Sequence, residues 1–273
     1  MWSDLRAHDP ARYLTALLAP RHARAGLLAL YAFNTELARI PGLVSGPQLG
    51  EIRLQWWRDA LGRMGGDVSS GAPVADALGL AIRTYDLPRA MLLGMIDARS
   101  ADLDGGGFAD FQALKAYLYK SQGAVFALGA HILGGGAGDF ARVANAAGLA
   151  YGLAELLRNL PRDTAAGRVM APLSLLQEHN IDPELLLAGE AGKRIHPVVA
   201  ELAREARAAL EAARKELALC DKSAHPAFAP LKLVQPILAK VEKPGHNPLR
   251  DIAEINPLLR FWRLWRAARS GWV

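Results

Sequence analysis

A chain of 273 residues, 51% hydrophobic and 22% charged, is long and apolar enough to bury a large core, which excludes wholesale disorder. Its single cysteine, Cys220, excludes a disulfide framework and a cysteine-based zinc site and suits a reducing compartment. Lys plus Arg number 32 against 27 Asp plus Glu, a net charge of +5 compatible with an anionic partner, and the surplus gathers at the end: no acid follows Glu254, while Arg260, Arg263, Arg266 and Arg269 do.

The first residues, Met1 to Arg6, are charged and carry no apolar h-region, so no signal peptide is expected. Leu27, Leu30, Tyr31, Leu37 and Ala38 recur at three- and four-residue steps and predict an amphipathic helix. Trp56 and Trp57 are adjacent in the next helical segment and cannot both face one side of it. The uncharged run from Ser121 to Gly138 is too short and too glycine-rich to span a bilayer, and reads as a buried helix entering a turn. A further helix from Gly148 should kink or end at Pro161, which lacks a backbone N–H. Leu202, Ala206, Ala209, Leu210, Ala213 and Leu217 mark another helix. Lys232 to Gln235 is the best period-two segment and is very short. The pattern predicts about ten helices in one all-α domain over residues 1–273, closed by a basic aromatic helix at about 255–273.

Common chemistry motifs are missing. No His-x-x-x-His pair occurs among the seven histidines, which argues against a zinc hydrolase. The glycine triplets are neither preceded by a strand nor followed by Lys-Ser or Lys-Thr, so P-loop and Rossmann readings fail. There is no Gly-x-Ser-x-Gly elbow. Cys220 ends an Ala- and Leu-rich helix and reads as a small packing residue.

Two stretches say more. One is Tyr31-Ala32-Phe33-Asn34-Thr35-Glu36-Leu37-Ala38, followed by Gln55-Trp56-Trp57. The other runs from Gly148 through Ala150, Leu157, Arg158 and Asp163 to Gly167, Arg168 and Pro172. With Asp9-Pro10-Ala11-Arg12-Tyr13 and the Asp102, Leu114, Tyr117 and Gly123 series, they make the sequence resemble the squalene/phytoene synthase family from about Asp9 to Pro172, and more weakly beyond. The resemblance implies an isoprenoid synthase-type helical bundle with a central cavity between the Tyr31 and Leu153 helices. It also implies an isoprenyl-diphosphate transferase with magnesium, in which carboxylates four apart on facing helices bridge the metal to phosphate.

The aspartates that this chemistry needs are largely absent. The resemblance places the first motif's positions at Ala38, Arg39 and Gly42, and the second motif's at Asn159 and Asp163, of which only Asp163 is kept. Glu36 should point elsewhere, and Arg39 would repel magnesium. No metal site and no cofactor are therefore expected, with magnesium reserved for an alternative in which the chain is an active or divergent prenyltransferase. Candidate cavity or diphosphate residues are Tyr31, Glu36, Arg158, Asn159, Asp163 and Arg168, because guanidinium forks match phosphate oxygens. The competing expectation is that the arginines pair with Asp163 or a helix terminus, and that Tyr31 packs in the core.

The same residues, with the Leu157-Arg158-x-x-Pro161 step, are similar to an aspartate-poor branch of the family that contains a mitochondrial assembly factor for respiratory complex I and its bacterial relatives. That likeness implies a membrane-associated assembly role with respiratory-complex subunits as partners. The likeness also implies a cytoplasmic location, peripheral on the inner membrane face, and the Ala- and Arg-rich composition suggests a bacterium. In the last helix Arg260, Arg263 and Arg266 alternate with Trp262 and Trp265, a basic aromatic pattern suited to a membrane interface or a partner. A lipid-binding module is a further alternative. No nucleic-acid motif accompanies the charge.

Overall fold

The computed structural model describes residues 2–64, 70–105, 107–134 and 139–270. The turn expected near Gly138 and the last residues of the basic aromatic helix expected at about 255–273 lie outside the described residues.

Two short helices, α1 (Trp2–His8) and α2 (Pro10–Leu18), begin the chain. Asp9 caps α2 by accepting the Arg12 N–H at 3.0 Å, and Pro10 takes the first helical position, where no donor is lost. Helix α3 (Arg21–Arg39) follows with most of its surface buried, and a 3-10 turn at Ile40–Leu43 leads to α4 (Pro47–Arg63). Next come α5 (Pro73–Tyr85), α6 (Arg89–Ala98) and a 3-10 turn at Arg99–Asp102. Helix α7 (Phe111–Leu118) passes through a π-turn at Tyr119–Gly123 into α8 (Ala124–Gly134), the buried uncharged segment expected from the sequence. The long α9 (Ala141–Ala165) precedes α10 (Leu173–Glu178), α11 (Pro183–Leu187) and α12 (Ile195–Leu217). A 3-10 run at Lys222–Leu233, α13 (Val234–Val241) and α14 (Pro257–Ser270) complete the described chain.

Three expectations change. There are more helices than about ten, because stretches that read as continuous are divided, as residues 2–39 are into α1, α2 and α3. Lys232–Gln235 is not a strand: it lies at the junction of the 3-10 run and α13, and an isolated bridge between Phe108 and Pro172 is the β pairing found among the described residues. Pro161 neither ends nor breaks α9, which continues to Ala165. The proline removes one N–H within the last two turns, where Leu157, Leu160 and Pro161 are all buried against the core, and burial outweighs one lost backbone bond.

The core runs along α3 and α9, with α12 laid lengthwise on α9 and α5 on α3. Helix α9 approaches the π-turn so closely that glycine is required on it: a Cβ at Gly148 would lie 2.4 Å from the Gly123 nitrogen and 2.5 Å from its Cα. Both obstacles are backbone, so neither can rotate away. Gly148→Ala is therefore expected to destabilise the fold by about 1–3 kcal/mol, seen as a lower midpoint in thermal or urea unfolding. An unchanged midpoint would mean that α9 and the π-turn separate freely.

Candidate functional site

A cavity of about 610 Å3 opens between α3 and α9, where the resemblance places it. Asn34, Thr35 and Ala38 of α3 face Tyr151, Gly152, Glu155 and Asn159 of α9 across it. The π-turn contributes Gln122, α7 contributes Tyr117, and the start of the chain contributes His8, Asp9 and Arg12. Because α9 continues past Pro161, Glu155, Asn159 and Asp163 share one face and all reach the wall.

Each carboxylate of the wall has an arginine against it. Arg12 meets Asp9 at 3.2 Å and Arg99 meets Asp102 at 3.0 Å. Arg158 meets Glu155 at 2.5 Å and Arg168 meets Asp163 at 2.5 Å. In three of these pairs the partners stand three residues apart, one helical turn, so the sequence supplies each acid with its own counter-ion. Arg39 also reaches the wall, and from there pairs with Asp4 at 3.8 Å.

Two pairs are built into larger networks. Arg99 and Asp102 are both buried, and Tyr117 bridges them, accepting from Arg99 at 2.9 Å and donating to Asp102 at 2.7 Å. Arg99 also donates to the Asn34 Oδ1 at 3.2 Å, tying α3 to the turn after α6. Arg12 donates to the Gln122 Oε1 at 2.8 Å, and its guanidinium lies 4.9 Å from the Tyr151 ring, 5.6 Å from Phe126 and 5.9 Å from Tyr31. Burial opposes the Arg12 charge, but Asp9 and the two tyrosines outweigh it and hold the pKa above its ordinary value. Burial also raises Glu155 and Asp163, with Asp9 adding to the first and Asp102 to the second, against the opposing arginines.

Several sequence expectations are refined by these placements. Arg168 does pair with Asp163, whereas Arg158 takes Glu155. Tyr31 is fully buried beneath Arg12 and is not part of the cavity wall. Glu36 points away from the cavity, into a separate groove lined by Trp56 and Trp57. Arg12, Arg99, Tyr117 and Arg162 belong to the site and were not singled out. The signal for two of them was the repeated acid–arginine spacing of one turn.

The C-terminal helix docks on the domain and is also amphipathic outward. Leu264 and Ala267 are buried, while Leu258, Phe261, Trp262 and Trp265 are exposed along one stripe. Arg266 stacks on Trp262 at 5.2 Å and Arg269 on Trp265 at 4.8 Å. No described helix is long and apolar enough to cross a membrane.

An all-α bundle around a cavity walled by α3 and α9 is the isoprenoid synthase architecture. It superposes on a squalene synthase from Alicyclobacillus acidocaldarius with a TM-score of 0.77 at 24% identity, covering 90% of this chain and 93% of that one. A dehydrosqualene synthase superposes with a TM-score of 0.79 at 19% identity, covering 98% and 93%. The squalene/phytoene synthase family description matches residues 5–266, and the chain belongs to that family. Among its relatives, the rat "NADH dehydrogenase (ubiquinone) complex I, assembly factor 6" is 29% identical over 266 residues, 96% of this chain and 80% of the relative. The phytoene synthase of Thermus thermophilus is 32% identical over 208 residues, 75% of this chain and 69% of that one.

Removing one partner of a buried ion pair leaves the other charged and desolvated. Asp102→Ala is expected to cost about 3–5 kcal/mol by stranding Arg99, with Tyr117 losing its acceptor as well, measured by denaturant unfolding. A loss under about 1 kcal/mol, typical of exposed pairs, would show that water reaches the network.

Proposed function

We propose that this protein carries a squalene/phytoene synthase cavity without its magnesium chemistry and acts as an assembly factor for a respiratory NADH dehydrogenase at the membrane. The observation that carries the reading is the pairing of every cavity carboxylate with an arginine. Magnesium needs free oxygen donors in near-octahedral array. Here Ala38, Arg39, Gly42 and Asn159 stand at the expected ligand positions, and Asp163 is engaged by Arg168. No group of three or more His, Cys, Asp or Glu side chains able to hold a metal occurs among the described residues. The donor set does not fit a magnesium cluster, and no catalytic step is derived through one. The likeness to the rat complex I assembly factor supports the assembly role.

A second reading, an active or divergent prenyltransferase, rests on a different observation. Six arginines line the cavity against four acids, and the Arg158 Nε is buried without a partner. That surplus suits a diphosphate, and the phytoene synthase relative is in keeping with it. One assay separates the two. Incubation with farnesyl or geranylgeranyl diphosphate and magnesium is expected to release no pyrophosphate and to give no C30 or C40 product. In cells lacking the protein, the wild-type chain and Asp163→Asn are expected to restore NADH dehydrogenase assembly equally. Robust turnover abolished by Asp163→Asn would overturn the assembly reading.

The reading places the protein in the cytoplasm, peripheral on the inner face of the membrane. Its contact there is the outward stripe of α14, because exposed tryptophans beside arginines favour the headgroup region of an anionic bilayer. The protein is expected to co-sediment with phosphatidylglycerol vesicles at low salt and to be released at high salt. The double change Trp262→Glu and Trp265→Glu is expected to abolish that retention. Equal retention of wild type and variant would remove the tail from the account.

A further inference from the structure

Outside the cavity, a groove of about 900 Å3 opens between the 3-10 turn at Ile40–Leu43 and α4. Its floor is Ile40 and Trp57, both buried. Trp57 is fixed there by edge contacts to Phe33 at 4.9 Å and Trp56 at 5.0 Å. Its walls are Leu43, Leu49, Ile52 and Trp56, which are between 40% and 64% exposed and form a contiguous patch rather than scattered apolar residues. Helix α4 is therefore apolar on two faces: Leu54, Trp57 and Leu61 pack inward, while Leu49, Ile52 and Trp56 repeat at three- and four-residue steps outward.

Beyond the Trp56 edge contact, Leu43, Leu49 and Ile52 take no part in the core, and the chemistry of this outer face specifies an occupant. The polar groups on the wall are Glu36, Arg39, Ser45 and Arg53. Arg39 holds only a long, half-exposed pair with Asp4, and Arg53 is exposed and has no ion pair among the described residues. The one carboxyl, Glu36, has its charge opposed by burial and by Asp4, with Arg39 opposing them. The rim thus offers two cations against one weakened anion. The volume falls in the range of small-ligand sites, which are mostly apolar with a few convergent polar groups.

We propose that this groove binds a single-chain anionic amphiphile, its hydrocarbon chain along Leu43, Leu49, Ile52 and Trp56 and its head group held by Arg39 and Arg53. The site is separate from the family's cavity and does not depend on the assembly reading. Arg39 and Leu43 line both spaces, so the 3-10 turn is the partition between them.

The test is titration of the full chain with dodecyl phosphate, kept below its micelle concentration, followed by calorimetry and tryptophan fluorescence. Saturable one-to-one binding that alters tryptophan emission is expected. Ile52→Asp and Arg53→Glu are each expected to weaken it by about tenfold or more, about 1.4 kcal/mol. Both residues are exposed, so an unchanged unfolding midpoint is the accompanying control. Dodecyl maltoside, with the same chain and an uncharged head, is expected to bind much more weakly. The absence of saturable binding would overturn the proposal. So would equal affinity in both variants, which would put the ligand in the central cavity, or equal affinity for the maltoside, which would leave the arginines without a role.

Discussion

The guanidinium of Arg12 joins more of the fold than any other polar group of the site. It is carried by α2, held by Asp9 at the helix cap, bonded to Gln122 of the π-turn, and surrounded by Tyr31 of α3, Phe126 of α8 and Tyr151 of α9. A buried cation is expensive unless it is paired and its donors are satisfied. Here the carboxylate, the amide and the π faces together meet that cost, so five elements must adopt their native positions at once for the charge to be tolerated. The N-terminal helices are thereby bound to the cavity rather than free to fray from it.

The same exchange is repeated around the wall. Asp102, Glu155 and Asp163 are each matched by a guanidinium, and burial raises the proton affinity of Glu155 and Asp163 against their arginines, so none of the three is the free oxygen donor that a hard cation seeks. Buried ion pairs of this kind are seldom a large net source of stability, since desolvation offsets most of the attraction. What they provide is specificity: removing one partner is costly, so the arrangement resists drift. A metal cluster would place several like charges together and rely on a cation to offset them, whereas this cavity offsets three of its acids within one turn of chain and the fourth, Asp163, by Arg168 just beyond the end of α9. On the assembly reading, the polar cavity has become internal scaffolding that shapes the surface.

The helices were legible because their apolar positions recur with period 3.6, and the family was legible because its motif residues stand at matching offsets. The course of α9 was not. Pro161 predicts a break from local chemistry, while the burial of Leu157, Leu160 and Pro161, which depends on distant helices, keeps the helix intact. The pairings were half legible. Asp9 with Arg12 and Glu155 with Arg158 stand one turn apart, but spacing alone does not distinguish a solvated surface pair from one lining a cavity. The Arg99, Tyr117 and Asn34 network joins residues 65 apart in sequence, and no local pattern encodes it. Conversely, the two tryptophans of α4 were separable in advance, since adjacent residues cannot share a helix face, and Trp57 is buried while Trp56 is exposed.

That division of α4 bears on the proposed groove. A core helix needs one apolar face, and α4 has two. The outer face costs solubility unless something covers it, and it adjoins Arg39, the residue standing at one of the expected aspartate positions. Arg39 lines both spaces, so its charge is felt on both sides of the 3-10 partition, in the cavity and in the groove outside. The C-terminal helix repeats the theme, with Leu264 and Ala267 turned to the domain and the Trp262 and Trp265 stripe turned away. In both places the inward face packs the family fold, and the outward face carries exposed apolar side chains beside arginines. Changes on the outer faces can therefore proceed with little effect on the bundle, because the residues that pack α4 and α14 inward, Leu54, Trp57, Leu61, Leu264 and Ala267, lie on the other side of those helices, and the buried arginine pairs are carried by other elements.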